Sequence, residues 1–521
     1  MRGLKSGVGR AIALVVEIAI GAGASFALSS AQAANSADLI ARGKTLSEVG
    51  DCMACHTAAK GVPYAGGNVI DTPFGAISSP NITPNRQTGI GSWTDDEFYR
   101  AMHDGIGKHG EYLYPVMPFP WYTIVTRDDA LAIKAYLFSL PPVKQARAPN
   151  KLIFPVSIRT SMLAWRQVFF KAAAFQPDPN QSDEVNRGAY LVNGLAHCGE
   201  CHNARPVAGT SPWRKALQGG VIDNWYAPNI TSDARTGIGT WRKEDIATFL
   251  KTGVAPGKSI AIGPMTEVVH SLKDVSDADL RAIAAYLKST PPVNAAPDQK
   301  LALFNGQGAR GGSAYLNYCA SCHGVDGKGV GGVIPALANN GAVVTQGPQN
   351  VLRVVLGGLP ATHTYGPMPA VGAAMSDDDI ADVTNYVRQS WNNAAPPTAA
   401  PGMVAALRPL TKTLMNAPQN GSCPAIESKA MASAIADSRN GLAHELSQLR
   451  DNTIWTDVAS IVGKAKAAAP NVKRDELVNG LTAAYCPVLQ QNTALDANAK
   501  AIQLGQFSQL AYAASASSLR K

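Results

Sequence analysis

Apolar positions along the chain recur with helical spacing, and three segments of this kind share one order of elements. Each begins with an amphipathic helix, continues through a stretch rich in glycine, proline and asparagine, and closes with a second amphipathic helix. The closing helices are predicted over residues 128–139, 276–289 and 376–390. Thr94 and Glu97 form a capping-box pattern that predicts the start of a further helix. Alternating apolar and polar positions, which would indicate strands, find little support.

Two of the three segments are near-copies of each other. Residues 80–106 align with residues 228–254, so that Asn81 corresponds to Asn229 at a shift of 148 residues. Self-similarity of this kind indicates a duplicated domain. The third segment is shorter and diverged but keeps the same order of elements.

Proline-rich joints separate these segments and define the domain boundaries. We predict domains over residues 36–150, 184–298 and 302–393, followed by a small helical C-terminal domain over residues 402–521. An apolar, aromatic segment at residues 151–183 lies between the first two domains. It is predicted either to pack between them or to form an amphipathic helix that docks on a membrane or a partner.

The first 33 residues have the pattern of a secretory signal peptide. Three basic residues precede a mostly apolar run over residues 11–28, and Ala31-Gln32-Ala33 forms an A-x-A cleavage site. The alternative is a retained N-terminal membrane anchor. The pattern predicts export to the periplasm.

Composition and charge exclude few functions. The chain is 46% hydrophobic and 16% charged, with a net charge of +8, which is typical of globular proteins and not of disordered ones. No cluster of lysine and arginine marks a nucleic-acid interface, so no nucleic-acid partner is expected.

Six of the eight cysteines belong to one motif, C-x-x-C-H, which occurs three times. The copies are Cys52-Met53-Ala54-Cys55-His56, Cys198-Gly199-Glu200-Cys201-His202 and Cys319-Ala320-Ser321-Cys322-His323. On a helix the two sulfurs lie on one face with the histidine beside them, which suits two thioether bonds to one haem and an imidazole ligand to its iron. Three copies predict three covalently bound haems c. The motifs are too far apart for paired zinc knuckles, and a disulfide-exchange role is likewise disfavoured.

The two remaining cysteines lie in the C-terminal domain. Cys423 and Cys486 are predicted to pair if the chain is exported, and the alternative is two buried free thiols. The 62 residues between them make such a bond worth about 4 kcal/mol on the chain-entropy estimate. Prolines are predicted to bound the helices of this domain, at Pro409, Pro418, Pro470 and Pro487.

Each of the three domains has a methionine that could be the sixth ligand of its iron. Met117, Met265 and Met368 follow the motif histidines by 61, 63 and 45 residues, in proline-containing loops before the closing helices. A thioether sulfur favours reduced iron. The alternative is that these methionines fill the core, the role expected of Met102 and Met375.

His109 and His363 are the alternative sixth ligands, because they lie in the approaches to Met117 and Met368. Three six-coordinate irons would leave no open position for substrate, and no Rossmann fingerprint, P-loop or G-x-S-x-G element is found. The prediction is therefore a non-catalytic electron carrier. The alternatives are a peroxidase-like haem enzyme with one open iron and a stand-alone periplasmic carrier.

Over residues 36–393 the chain resembles the triheme cytochrome c subunits of bacterial membrane-bound dehydrogenases, such as the alcohol, gluconate and fructose dehydrogenase complexes. The resemblance lies in the three C-x-x-C-H motifs and in features around them. These are the repeated PNIT…TGIG-[ST]-W blocks, the YPVMP and GPM loops, the run Asn186-Arg187-Gly188-Ala189-Tyr190-Leu191, and Met368-Pro369-Ala370.

The resemblance implies three tandem class I cytochrome c-like domains in a periplasmic subunit on the outer face of the bacterial inner membrane. Electrons would come from a catalytic subunit carrying flavin, pyrroloquinoline quinone or a molybdenum cofactor, and would pass to ubiquinone or a terminal oxidase. The motif histidines would be proximal ligands and the three methionines distal ones. Two departures are Thr266, where the other loops have proline after the methionine, and the long C-terminal segment.

Overall fold

The computed structural model describes residues 36–204, 217–293, 307–362, 365–411, 423, 425–449, 454–495 and 497–517. The predicted signal peptide and His363 lie outside these residues. The described chain is mainly helical, which confirms the predicted fold class. The residues up to Glu200 form one compact unit with His270–Tyr286, and the residues Cys201–Val269 form a second with those from Leu287 onward.

The helices of the first domain and of the following segment are α1 (36–49), α2 (Cys52–Cys55), α3 (Asp95–Asp104), α4 (Phe119–Tyr122), α5 (Arg127–Ser139) and α6 (Ser161–Phe169). Those of the second domain are α7 (Asp183–Asn193), α8 (Gly199–His202), α9 (Lys243–Thr252), α10 (Met265–Leu272) and α11 (Asp277–Ser289). Those of the third are α12 (Gln307–Tyr318), α13 (Ala320–His323), α14 (Gln349–Gly357) and α15 (Asp377–Gln389). The predicted closing helices correspond to α5, α11 and α15.

The C-terminal region contains α16 (Pro401–Leu407), α17 (Lys429–Ala436), α18 (Leu442–Gln448), α19 (Ile454–Ala468), α20 (Arg474–Gln491) and α21 (Ala497–Ser517). Short 3-10 helices lie at Val371–Ala374, Arg408–Leu410 and Ser438–Asn440. Strands are β1 (Val69–Thr72), β2 (Gly75–Ser78), β3 (Lys151–Leu152), β4 (Gly220–Ile222), β5 (Trp225–Ala227), β6 (Val254–Ala255) and β7 (Ser259–Ile260).

In each cytochrome-like domain, the helix before the motif crosses the closing helix at a glycine. A Cβ atom at that glycine would collide with a backbone oxygen of the closing helix. The pairs are Gly43 with Ala132 (1.8 Å), Gly188 with Ala282 (1.9 Å) and Gly311 with Asp382 (2.5 Å). The absence of a side chain therefore allows the two helices to make backbone contact.

Short antiparallel hairpins were not expected from the sequence. β1 pairs with β2, and β4 pairs with β5. Strands of three or four residues are too short to show a period of two. The turn between β4 and β5 uses Asp223 and Asn224 in the left-handed region, with φ of 49° and 61°, as tight hairpins require.

The apolar segment 151–183 contacts both neighbouring domains. The ring of Trp165 in α6 lies edge-on to Phe119, at 6.2 Å between centroids, and Phe175 packs edge-on against Tyr190 of α7 at 5.2 Å. β3 adds to the first hairpin beside β2. Other apolar side chains of the segment remain exposed, with Phe154 at 77% and Val168 at 73%.

The helices α17–α21 enclose a separate hydrophobic core around Tyr485, Leu504 and Phe507. Cys423 and Cys486 form a disulfide bond, as predicted. Pro487, however, lies inside α20 and does not end a helix. Its neighbours in α20 are buried in this core, so tertiary packing outweighs the local cost of proline.

Within the described residues, none of the helices combines the length and the apolar character needed to span a bilayer.

Candidate functional site

Each C-x-x-C-H motif lies on a single helical turn. The His56 backbone N–H donates to the Cys52 carbonyl at 3.0 Å, and the His323 N–H donates to the Cys319 carbonyl at 2.9 Å. The second motif continues from Cys198 into α8. The predicted placement of thiols and imidazole along one short helix therefore agrees with the structure.

Each motif histidine makes the same hydrogen bond through its ring nitrogen Nδ1. The acceptor is a proline carbonyl, at 2.7 Å for His56 with Pro80, 2.7 Å for His202 with Pro228 and 3.2 Å for His323 with Pro335. A carbonyl only accepts, so Nδ1 must carry the proton and Nε2 is left with a lone pair. A hydrogen bond of this kind fixes the tautomer of a histidine that binds metal.

Burial keeps these imidazoles neutral. It lowers the pKa of His56 and of His202 below the usual value, and it lowers the pKa of His323 to about 4. The hydrogen bond to the proline carbonyl acts in the opposite direction but is the smaller effect. A neutral imidazole is the form that binds metal.

A buried asparagine holds the proline of the first domain in place. The Asn81 side-chain oxygen accepts from the Thr83 N–H at 2.9 Å and from its hydroxyl at 2.7 Å. The Asn81 amide donates to the Val143 carbonyl at 2.7 Å and to the Thr88 hydroxyl at 3.1 Å. The loop that presents Pro80 is thereby tied to the chain after the closing helix.

The second domain repeats this network. Asn229 accepts from the N–H and the hydroxyl of Thr231 at 2.9 and 2.8 Å, and donates to the Val293 carbonyl at 2.7 Å and to the Thr236 hydroxyl at 2.8 Å. The duplicated PNIT blocks are therefore the supports of the motif histidines.

The third domain reaches a similar result with a different residue. Asn393, which follows α15, donates to the Leu337 carbonyl at 3.0 Å and to the Val387 carbonyl at 2.8 Å. It also accepts from the Asn339 N–H at 2.7 Å. The asparagine here comes from the end of the closing helix and holds the loop that follows Pro335.

The Cys52 and Cys319 thiols do not have the lowered pKa of a redox-active thiol. Burial raises the pKa of Cys52 to about 12 and that of Cys319 to about 12. Thiol–disulfide exchange needs a lowered pKa, because the thiolate is the nucleophile. The protonated thiols of Cys52 and Cys319, each in a motif with a neutral imidazole, fit permanent thioether attachment of a haem.

The three candidate methionine ligands are all partly exposed, unlike core methionines. Met102 and Met375, which the sequence assigned to the core, are each only 5% exposed. Met117, Met265 and Met368 have intermediate exposure. The three candidates are thus less buried than the two methionines assigned to the core.

Their backbone settings differ from one another. Met117 lies in a turn in which its N–H donates to the Tyr114 carbonyl at 3.0 Å. Met368 exchanges two backbone hydrogen bonds of 2.8 Å with Leu359 and packs against the core cluster that contains Cys319. Met265 is the first residue of α10 and not part of a loop, which corrects the expected setting.

His109, an alternative sixth ligand, has an exposed side chain, and its backbone N–H donates to the Glu111 carboxylate at 2.8 Å. Its placement does not favour it over Met117. The other alternative, His363, is outside the described residues.

The supporting prolines Pro80, Pro228 and Pro335 were not identified from the sequence. For the first two a signal existed, since both begin the aligned PNIT blocks at the same distance from their motifs, within two residues. Taken together, two thiols, a neutral imidazole with a fixed tautomer and a partly exposed thioether in each domain are a donor set that fits covalently attached haem.

A family model for cytochrome c matches residues 40–141 and 308–391, which include the first and third motifs. The cytochrome c subunit of a quinone alcohol dehydrogenase from Gluconobacter oxydans (strain 621H) is 42% identical over 407 residues, covering 74% of this chain and 85% of that protein. The gluconate 2-dehydrogenase cytochrome c subunit of Pantoea cypripedii is 39% identical and covers 74% and 92%, respectively.

The cytochrome subunit of fructose dehydrogenase from Gluconobacter japonicus is 36% identical over 389 residues, covering 68% of this chain and 80% of that protein. These matches extend over most of both chains and agree with the motif helices and the mainly helical domains described above. The chain therefore belongs to the cytochrome c family, among the cytochrome c subunits of alcohol, gluconate and fructose dehydrogenases.

Proposed function

We propose that this chain is an electron-transfer subunit that carries three covalently bound haems c. The observation that supports this most directly is the threefold recurrence of a C-x-x-C-H helix whose histidine Nδ1 is bonded to a proline carbonyl. Bound haem c iron cycles between the ferrous and ferric states and so supplies a one-electron relay at each motif.

The protein's own residues keep each relay closed and geometrically fixed. The cysteine pairs Cys52 and Cys55, Cys198 and Cys201, and Cys319 and Cys322 would attach the haems. His56, His202 and His323 would bind iron through Nε2, and Met117, Met265 and Met368 would supply its second protein ligand. An iron held by two fixed protein ligands would have no open position for substrate, which suits electron transfer better than substrate binding.

A catalytic dehydrogenase subunit is the proposed electron donor. Three relatives are named as cytochrome subunits of alcohol, gluconate and fructose dehydrogenases, whose substrates differ. Because related cytochrome subunits occur with different substrates, the partner subunit is proposed to oxidise the substrate and the cytochrome to carry the electrons. The proposed partner is of flavin, pyrroloquinoline quinone or molybdenum type. We propose membrane ubiquinone or a terminal oxidase as the acceptor.

The proposed location is the periplasm, at the outer face of the inner membrane. Covalent haem c and a disulfide between Cys423 and Cys486 both suit an oxidising compartment. The exposed apolar residues of segment 151–183, including Phe154 and Val168, suit contact with a membrane surface or with the partner.

The test is to purify the full-length chain from a host that matures cytochromes c, then count haems by pyridine haemochrome and intact mass. Three haems per chain and low-spin spectra are expected. Replacing Met117, Met265 or Met368 by leucine should each remove about one third of the red absorption band of the ferric iron–methionine bond. Met102→Leu, a core change, is the control and should leave the band intact.

Fewer than three haems in the unaltered chain would contradict the proposal. An unchanged spectrum in Met265→Leu alone would point instead to an open iron in the second domain and to the haem-enzyme alternative. Co-purification of the chain with a dehydrogenase subunit, and loss of that subunit's quinone reduction without the chain, would separate the proposal from a stand-alone carrier.

A further inference from the structure

The helices α17–α21 pack on the third haem domain, and the last of them crosses its motif. α21 is buried on more than one side, because Leu504 and Phe507 face its own domain's core while Gly505 is also buried. A helix that is covered around most of its circumference lies between two packed bodies. The second body is the third haem domain.

Gly505 marks the point of closest approach to the third motif. A Cβ atom at this position would lie 3.3 Å from Pro369 Cγ and 3.9 Å from Cys322 Sγ. Pro369 directly follows Met368, and Cys322 is the second haem-attaching cysteine. In the first domain the equivalent cysteine, Cys55, is exposed, whereas Cys322 is partly covered. α21 therefore lies against the Cys322 side of the third motif.

Two more contacts hold the chain that leads into Met368. The Ala361 N–H donates to the Asn479 side-chain oxygen in α20 at 3.0 Å. Gly366 packs against Tyr512 of α21, since a Cβ atom on this glycine would lie 3.5 Å from Tyr512 Cβ. We define the Met368 loop as residues 359–362 and 365–369. The loop is held at Ala361, Gly366 and Pro369, all by the C-terminal helices.

We infer that the C-terminal helices α17–α21 are a clamp that fixes the Met368 loop and shields the Cys322 side of the third haem. Asn479 and Gly505 are positioning residues for the iron ligand Met368. The inference rests on the proposed third haem. Shielding controls solvent access and the local dielectric around a metal site, so the clamp should raise the reduction potential of this haem and slow its reaction with added ligands.

The test compares Gly505→Leu with the matched control Gly463→Leu in full-length protein with its haems attached. Gly463 lies in α19 of the same domain, is exposed and has no atom within 4 Å of an added Cβ. The readouts are haem count, the iron–methionine band, cyanide binding to ferric protein, redox titration, and hydrogen exchange of the Met368 loop. Met368→Leu identifies which part of each signal belongs to the third haem.

In Gly505→Leu, the third haem's share of the iron–methionine band should be lost and the reduction potential of this haem should fall. Cyanide binding to this haem and hydrogen exchange of the Met368 loop should both become faster. Gly463→Leu should match the parent. The substitution Asn479→Ala changes neither haem-attaching cysteine. Its effects therefore distinguish loss of the clamp from a defect in haem attachment. It should speed cyanide binding about fivefold, the fold-change that the loss of one net hydrogen bond produces.

Unchanged cyanide kinetics, potential and exchange in both Gly505→Leu and Asn479→Ala would overturn the inference, even if these variants melt at lower temperature. That result would leave the proposed function intact, provided the parent carries three haems. A parent with only two haems, lacking the one on Cys319 and Cys322, would instead contradict the proposed function itself.

Discussion

Alanine at Gly311 should destabilise the third cytochrome-like domain, whereas alanine at the neighbouring Gly312 should not. A Cβ atom at Gly311 would lie 2.5 Å from the Asp382 carbonyl oxygen and 2.9 Å from Tyr386 Cβ. At Gly312 the nearest atom would be Tyr386 Cε2 at 3.4 Å, which is ordinary van der Waals contact. The two positions are adjacent in α12, so they form a matched pair.

The difference between the two variants isolates the cost of the clash. Both substitutions gain helix propensity of about 1 kcal/mol, and that gain cancels in the comparison. Forcing closely packed helices apart costs about 1–3 kcal/mol. The atom in the way at Gly311 is backbone oxygen, which cannot rotate aside, so we expect the upper half of this range. For a domain of this size each kcal/mol corresponds to about 4–8 °C in melting temperature.

The assay is differential scanning calorimetry of the full-length protein with its haems attached. Several domains need not melt together, so the transition of the third domain is assigned by following its haem spectrum in parallel. Gly311→Ala should lower this transition, and Gly312→Ala should leave it in place or raise it. Equal melting of the two variants, with equal haem content, would refute the helix-crossing argument.

Three further outcomes are expected. Asn81→Ala should destabilise the first domain by about 1–3 kcal/mol in urea titration, because the buried partners of its amide lose their hydrogen bonds; a parent-like midpoint would contradict this. Replacing Cys423 and Cys486 together by alanine should lower only the C-terminal transition, by up to about 4 kcal/mol, as measured by calorimetry. Trp121→Phe should cost about 1.5–3 kcal/mol in urea titration, because the indole no longer donates to the Glu200 carboxylate; unchanged stability would show that this contact is not formed.

Features with a local or periodic signature were predictable from the sequence. The capping box of α3 is present with both hydrogen bonds, from the Glu97 N–H to the Thr94 hydroxyl at 3.2 Å and from the Thr94 N–H to the Glu97 carboxylate at 2.8 Å. The three closing helices begin and end within one residue of the predicted bounds. Met102 and Met375 were assigned to the core because they lie on or beside amphipathic helices, and both are buried.

Features that depend on contacts between distant residues were not predictable. The Pro80 carbonyl accepts from His56, which lies 24 positions away in the sequence. Pro369 packs close to Gly505, which is separated from it by a much longer stretch of sequence. A backbone carbonyl has no side-chain signature, and a glycine that permits close approach resembles one that permits a turn. The prediction that Met265 lies in a loop was wrong. The residue after it is threonine and not proline, so α10 can begin at the methionine itself.

The segment after Met117 contacts residues beside both of the first two motifs. The Tyr122 hydroxyl donates to the Gly50 carbonyl at 3.0 Å, just before the first motif. Its ring lies edge-on to the imidazole of His197 at 5.8 Å, just before the second. Trp121 is buried and donates to Glu200 inside the second motif at 2.7 Å. His197 is therefore a packing residue, and one short helix, α4, connects the surroundings of two motifs.

This connection explains where the two near-copies diverge. The supports of the histidines are the same in both, with Asn81 and Asn229 making equivalent hydrogen bonds. After the methionine the copies differ: Pro-Phe-Pro-Trp-Tyr follows Met117, whereas Thr-Glu-Val-Val-His follows Met265. In the first copy, aromatic residues of α4 contact the second motif. In the second copy, the Ser271 hydroxyl of α10 donates to the Asp51 carboxylate, which directly precedes the first motif. The departure at Thr266 therefore accompanies a change of contacts: the residues that support each motif histidine are equivalent in the two copies, whereas the residues that reach the other motif differ.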